Sequence, residues 1–203
     1  GRSGKIFNYS WYDFSPDFVC VGKNMTSGHA PLSAIITKSK FQDIIAKGSG
    51  RIQLGHTFQG YSLGVAACYE LMNIIEEDKL MDKVSEKGAY MIDTLKNELK
   101  ENPFYKNIRG KGFAFSLEHQ TSNNPKFGIL LQQIMKEKYD IIINSKWHRT
   151  SFVPSFIIND KEIDKFLSLF IKTFKEIQSD WTKLQNTNID GVSKSMGAVE
   201  ENK

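Results

Sequence analysis

Short apolar runs alternate with long amphipathic stretches along this chain, and this alternation limits the possible fold more than any other feature. Phe18–Gly22 and Ala34–Thr37 are apolar runs of strand length, and the first of them is predicted to be buried. From Ser62 to Glu77, apolar residues recur at spacings of three and four, which predicts an amphipathic helix. The first part of the chain is therefore predicted to be α/β.

The second part of the chain has an α+β pattern. A helix is predicted from Lys79 to Lys100, and it ends there because Pro103 forces the preceding residue out of helical geometry. The last helix starts at Asn159 and Glu162, which have the spacing of a capping box. Between these helices we predict strands at Phe113–Leu117, Asp140–Ile143 and Ser151–Pro154 and a helix at Lys126–Lys138.

Composition excludes several classes of protein. The 203 residues carry 27 basic and 23 acidic side chains, a net charge of +4 without a long basic stripe, so nucleic-acid binding is not predicted. No apolar segment is long enough to span a bilayer, and no membrane partner is expected. Cys20 and Cys68 lie in apolar stretches, which favours reduced core thiols and a cytoplasmic location, with one disulfide as the alternative.

Lys23 follows an apolar strand and a glycine, and Gly28 follows in the next loop. A lysine held at a strand end and partly removed from water can act as a nucleophile. The alternative, favoured on local chemistry alone, is a solvated lysine at a turn.

The segment Gly55–Gly60 leads directly into the helix that begins near Ser62. Small residues before a helix leave its first backbone N–H groups free to bind an anion, and the hydroxyl of Thr57 can add a hydrogen bond to a phosphate oxygen. An ordinary glycine turn with a helix cap is the alternative, and taken by itself it is favoured.

Two basic segments in the second part are weaker candidates. Ile108–Gly112 could form an anion-binding nest, although a single basic glycine turn is poor evidence for one. Arg149 could hold a carboxylate in a bidentate fork; the favoured alternative is a rim charge beside aromatic residues.

The order and spacing of these motifs are more specific than any one of them. Together they resemble the class III aminotransferases, pyridoxal-phosphate enzymes of fold type I, over Gly1 to Ile177. The matching stretches are Gly1–Phe7, Pro16–Asp17, Val21–Lys23, Gly28, Pro31–Leu32, Ala34, Gly55–Phe58 with Gly60, Ala66–Ala67, Ile108–Gly112, Val153–Pro154 and Ile157–Asn159.

The resemblance implies a cofactor and roles for two residues. Lys23 matches the lysine that forms the internal aldimine with pyridoxal phosphate and then moves the substrate proton. Thr57 matches the threonine that binds the cofactor phosphate held by the neighbouring subunit, which implies a homodimer with shared active sites. Arg149 is a candidate for binding the substrate carboxylate. The implied reaction moves an amino group from an amine or amino acid donor to a keto acid, and no metal site is predicted.

The resemblance also implies that this chain is the C-terminal half of such an enzyme. Residues 1–82 would be the end of the cofactor-binding large domain, 83–184 a small C-terminal domain, and 185–203 a disordered tail. The aspartate that keeps the cofactor's pyridine nitrogen protonated would lie upstream of Gly1. Two alternatives remain: a relative that catalyses another reaction of the same cofactor, such as an aminomutase or a lyase, and a truncated non-catalytic paralogue or partner subunit.

Overall fold

The computed structural model describes residues 1–55, 57–120 and 126–180, and these form two compact units. The first unit is Tyr9–Leu80. The second contains Gly1–Asn8 together with the chain from Met81 onwards. The boundary between the two units therefore lies between Leu80 and Met81, at the start of a helix. The assignment of residues 1–82 to a large domain and 83–184 to a small domain stays a prediction. The predicted tail lies outside the described residues.

The first unit contains a two-stranded antiparallel sheet and two α-helices. Strand β1 (Phe18–Val21) pairs with β2 (Ala34–Thr37), and helices α1 (Ser39–Lys47) and α2 (Ser62–Glu77) follow. Both strands and α2 confirm the sequence prediction. Helix α1 was not predicted, although Phe41, Ile44 and Ile45 have the spacing of an amphipathic helix.

The prediction that the first strand is buried, by contrast, is wrong for this chain. Residues of β1 are alternately exposed and half-buried, and Phe18 on β1 and Ile35 on β2 are 55% and 68% exposed. The free thiol of Cys20 is exposed as well, so it is not a core residue here, while Cys68 is half-buried and also free. The physical reason is that side chains on a sheet face are buried only by groups packed on that face, and the described residues leave the face with Phe18 and Ile35 largely uncovered.

The second unit is an antiparallel sheet packed against helices. Its elements in chain order are α3 (Leu80–Leu99), β3 (Tyr105–Lys111), β4 (Ala114–His119), α4 (Phe127–Tyr139), β5 (Asn144–Lys146), β6 (Arg149–Phe152) and α5 (Asp160–Ser179). The strands lie in the order β3-β4-β6-β5. The capping box at Asn159 and Glu162 is present in both directions, and it explains why α5 begins where the sequence predicts.

Aromatic rings form the centre of the second unit's core. Consecutive ring contacts, with centroids 4.5 to 6.0 Å apart, join Phe104, Phe127, Phe174, Phe170, Phe152 and Phe115. They come from the sheet, from α4, from α5 and from the loop after α3, and all are buried. Burial of each ring contributes about 2 to 3 kcal/mol, so this cluster largely determines how the helices pack on the sheet.

The predicted strand at Asp140–Ile143 is wrong. Asp140 adopts a left-handed conformation (φ 56°) and its backbone N–H caps α4 by binding the carbonyl of Lys136. The next strand starts only at Asn144. An apolar run this short does not distinguish a strand from the buried linker after a helix.

Candidate functional site

Lys23 lies in a tightly wound turn that directly follows β1. It begins a short 3₁₀ helix, Lys23–Thr26, with a φ of 52°, a left-handed conformation that non-glycine residues adopt only when the surroundings require it. Overlapping backbone hydrogen bonds run from Met25 N to Gly22 O (3.2 Å) and from Ser27 N to Asn24 O (3.1 Å). The lysine side chain is exposed in this chain, so the described residues do not remove it from water.

Thr26 anchors this turn, and sequence reasoning missed it. It is 1% exposed, and its hydroxyl donates to the carbonyl oxygen of Ala30. The turn also packs against α2. The available signal was a hydroxyl residue between Lys23 and Gly28, which is too common a pattern to single out.

Asp17 directly precedes β1, the strand that leads to Lys23, and makes several polar contacts there. Its carboxylate pairs with Lys40 at 2.8 Å and Lys38 at 3.2 Å, and its carbonyl accepts a hydrogen bond from the hydroxyl of Thr37. These lysines hold the pKa of the Asp17 carboxyl below its usual range. The pairs join both strands and α1 at one end of the small sheet.

Thr57 is exposed in the turn that precedes α2. The helix begins at Ser62, as predicted, and its N-cap residue, Tyr61, makes no side-chain capping bond. The backbone N–H groups of the first helical turn are therefore left without a side-chain cap, which is what an anion site at a helix start needs. His56, the neighbour of Thr57, lies outside the described residues.

The anion nest considered at Ile108–Gly112 is wrong. These residues belong to β3 and to the turn into β4, and Arg109 binds both carboxylate oxygens of Glu118 at 3.1 and 3.2 Å. Gly110 is needed for close approach, because an added Cβ would lie 2.2 Å from the carbonyl oxygen of Ala114. The glycines among these basic residues serve strand packing and a tight turn, and not an anion site.

Arg149 is the first residue of β6, and its side chain is exposed. It lies opposite Glu118 on β4 and opposite Lys146 on β5. Its guanidinium makes no ion pair with any residue that the structure describes. Lys23 and Thr57 both belong to the first unit, whereas Arg149 belongs to the second.

The model of the family "Aminotransferase class-III" matches residues 1–174. Ornithine aminotransferase of Staphylococcus carnosus is 32% identical over 86% of this chain and 41% of its own length. The (R)-1-hydroxy-2-aminoethylphosphonate ammonia-lyase of Vibrio splendidus is 29% identical over 91% of this chain and 39% of its own. A solved ornithine aminotransferase of Plasmodium falciparum superposes with a TM-score of 0.76 at 26% identity, over 89% of this chain and 44% of that one.

The mixed α/β fold is that of part of a pyridoxal-phosphate-dependent transaminase. The chain belongs to the class III aminotransferase family, whose members depend on pyridoxal phosphate. It spans about 40% of the length of the relatives it matches.

The residues of the first unit fit part of that cofactor. An exposed primary amine on an ordered turn suits an aldehyde, and a helix start without a side-chain cap, preceded by a threonine hydroxyl, suits a phosphate. No group of metal-binding side chains occurs within the described ranges. None of the described helices is both long and apolar enough to cross a membrane.

Proposed function

We propose that the protein containing this chain is a transaminase that moves an amino group between an amine or amino acid donor and a keto acid acceptor. The observation that carries the proposal is Lys23, held at positive φ on a turn braced by a buried threonine and by α2, in a class III chain. An ordered turn reduces the freedom that the lysine must lose when it reacts.

In this proposal Lys23 has two tasks. Its amine would hold pyridoxal phosphate at the aldehyde carbon, and as a free amine it would take a proton from the substrate carbon and return it at the other end of the reacting system. Pyridoxal phosphate, when bound, supplies the electron sink for that transfer. Because Lys23 is exposed in this chain, the water exclusion that proton transfer requires is expected to come from the rest of the protein.

Thr57 and the start of α2 are proposed to hold the cofactor phosphate. Following the family pattern, this phosphate would belong to the site of the second subunit of a homodimer. The Thr57→Ala change is expected to weaken cofactor binding by about tenfold, while Thr57→Ser retains the hydroxyl and most of the affinity. Equal affinities of the two variants, measured by titration of the apoprotein, would contradict this role.

Arg149 is proposed to bind the acidic group of the substrate, since its guanidinium has no ion pair in the described part of the chain. A cytoplasmic location is also part of the proposal. The two free thiols, Cys20 and Cys68, support it, because reduced cysteines are typical of that compartment.

The central test is covalent. Borohydride reduction of the complete protein should fix a pyridoxyl group on Lys23, as shown by peptide mapping. Lys23→Ala should abolish turnover, while Lys47→Ala, which removes an exposed lysine of α1, should leave it intact. A pyridoxyl group found only on another lysine would refute the proposal.

An ammonia-lyase is the second candidate, because one such enzyme matches 91% of this chain. The two reactions differ in their need for a co-substrate. A transaminase turns over only when a keto acid accepts the amino group, whereas a lyase releases ammonia without an acceptor. Assay of the complete protein with and without pyruvate or 2-oxoglutarate distinguishes them.

A further inference from the structure

The outer face of the four-stranded sheet is entirely polar where all four strands overlap. Strand pairing places its side chains in two rows of four, since registered partners lie on the same face of a sheet. The first row is Asn107, Glu118, Arg149 and Lys146, and the second is Arg109, Ser116, Ser151 and Asn144. The opposite face of the same sheet carries the buried core.

The charges on this face do not balance internally. Arg109 occupies both oxygens of Glu118, the only acidic side chain in either row. Arg149 and Lys146 lie opposite each other on paired strands. Neither side chain makes an ion pair among the residues described here. Like charges directly opposite each other destabilise a sheet unless an anion lies between them.

Two hydroxyl groups lie beside these cations. Ser116 Oγ and Ser151 Oγ are 3.2 Å apart in the adjacent row, and Ser151 is two residues along β6 from Arg149, on the same face. In a hydroxyl pair only one proton lies between the oxygens, so the other is left to donate outwards. The face thus combines a forked guanidinium, an ammonium and a neutral donor, a set that matches several oxygens of one anion.

We propose that Arg149, Lys146 and the Ser116–Ser151 pair form a binding site for a doubly charged oxyanion, a phosphonate or phosphate monoester group of a small molecule. The three cations of this face exceed its single carboxylate, Glu118, by two charges, which favours a dianion over a single carboxylate, and a tetrahedral group presents enough oxygens for all three kinds of donor. Insofar as this group belongs to the amine substrate, the inference rests on the proposed function. As a binding site it can be measured without turnover.

Calorimetric titration of the complete protein tests the site. The protein is loaded with pyridoxal phosphate, freed of excess cofactor and kept in a buffer without phosphate. Methylphosphonate and acetate are the probes, because they present a dianion and a carboxylate on the same methyl group, and neither is an amine that could react. We expect methylphosphonate to bind about tenfold more tightly than acetate.

Three variants complete the experiment. Arg149→Ala and Lys146→Met should each weaken methylphosphonate binding by about tenfold. Arg51→Ala, which deletes an exposed arginine outside the sheet, should leave it unchanged. Lys146→Met decides the question if Arg149→Ala does not fold, as judged by its circular dichroism.

If Arg51→Ala weakened methylphosphonate binding as much as the two sheet variants do, the proposal would be overturned. The loss would then come from the net charge of the protein and not from a site on the sheet. Acetate binding as tight as methylphosphonate binding would overturn the choice of a dianion. Failure of the proposed function looks different: no pyridoxyl group would be fixed on Lys23, while the anion affinity and its dependence on Arg149 would persist. Where Lys23 does carry the pyridoxyl group, the turnover of 2-aminoethylphosphonate relative to 3-aminopropanoate shows whether the anion site binds the substrate.

Discussion

Among single residues, two buried polar side chains carry contacts that matter for the site and for stability. Lys23 owes its defined place to Thr26, a buried residue that has no chemistry of its own. In the second unit, His119 is a buried polar residue that contacts two buried hydroxyl residues in series. It is 2% exposed, and its Nε2 lies 2.9 Å from Thr150 Oγ1, which in turn lies 2.8 Å from Ser145 Oγ.

His119 predicts a loss of stability in acid. Burial, with a smaller contribution from His148, lowers the pKa of His119 from 6.5 to about 4. The unfolded chain therefore takes up a proton before the folded one does, so this stabilisation is complete above about pH 6.5 and is lost as the pH falls towards 4. The loss amounts to about 3 kcal/mol.

Urea unfolding of the complete protein between neutral and acid pH measures this effect. The His119→Asn variant should show a much flatter dependence of unfolding free energy on pH over that window. His148→Asn, which removes an exposed imidazole, should keep the steep dependence. Parallel curves for the wild type and His119→Asn would show that another group titrates.

At the level of helices and strands, one residue that weakens a helix by its propensity also allows that helix to pack closely on a neighbouring turn. Gly88 interrupts the apolar stripe of α3, where a glycine lowers helix propensity. In the structure it is buried, and a Cβ added there would lie 2.4 Å from the backbone of Gly112, in the turn between β3 and β4. The glycine allows the helix to pack directly on the turn.

The Gly88→Ala variant is therefore expected to destabilise the protein, although alanine is the better helix former. The approaching atoms are backbone and cannot move aside, so we expect a loss of about 2 to 3 kcal/mol. Asn97→Ala, at an exposed position of the same helix, should be neutral or slightly stabilising. Thermal unfolding compares them, and an unchanged or raised Tm for Gly88→Ala would contradict the contact.

At the scale of the whole molecule, the chain carries part of a family fold and leaves one of its two sheets largely uncovered. Phe18, Cys20 and Ile35 lie on one face of the β1–β2 pair and are all exposed. Since the relatives are more than twice as long as the stretch they share with this chain, we expect other residues of the complete protein to cover that face. Residues 1–203 produced alone should then aggregate and bind pyridoxal phosphate poorly.

The Ile35→Lys variant tests this expectation in two settings. In residues 1–203 alone it should reduce light scattering, because it places a charge on the exposed apolar face. In the complete protein the same change should lower the Tm by several degrees, because it buries that charge. Gln42→Lys adds the same charge at an exposed position of α1 and should do neither. An unaffected Tm for Ile35→Lys in the complete protein would show that the face stays open.

The sequence could predict those elements whose signal is local. Capping at Asn159 and Glu162 and the apolar stripe of α5 lie within one stretch of chain. Strands β1 and β2 were predicted from their own apolar runs, and α2 from its own helical periodicity. The ordered motifs also indicated the family and the cofactor, while the role of Lys23 stays a prediction. The strand at Asp140–Ile143 was wrong because a short apolar run fits either a strand or a buried linker.

Most element types, the family and the candidate lysine could thus be predicted from the sequence, because they depend on residues close together in the chain or on motif order. Which distant residues share a surface became visible only in the folded chain. Arg109 binds Glu118, Arg149 lies opposite Lys146, and Gly88 meets Gly112, and each contact depends on strand register or helix packing. Register is set by the burial of a whole sheet face, a property that no single stretch of sequence contains.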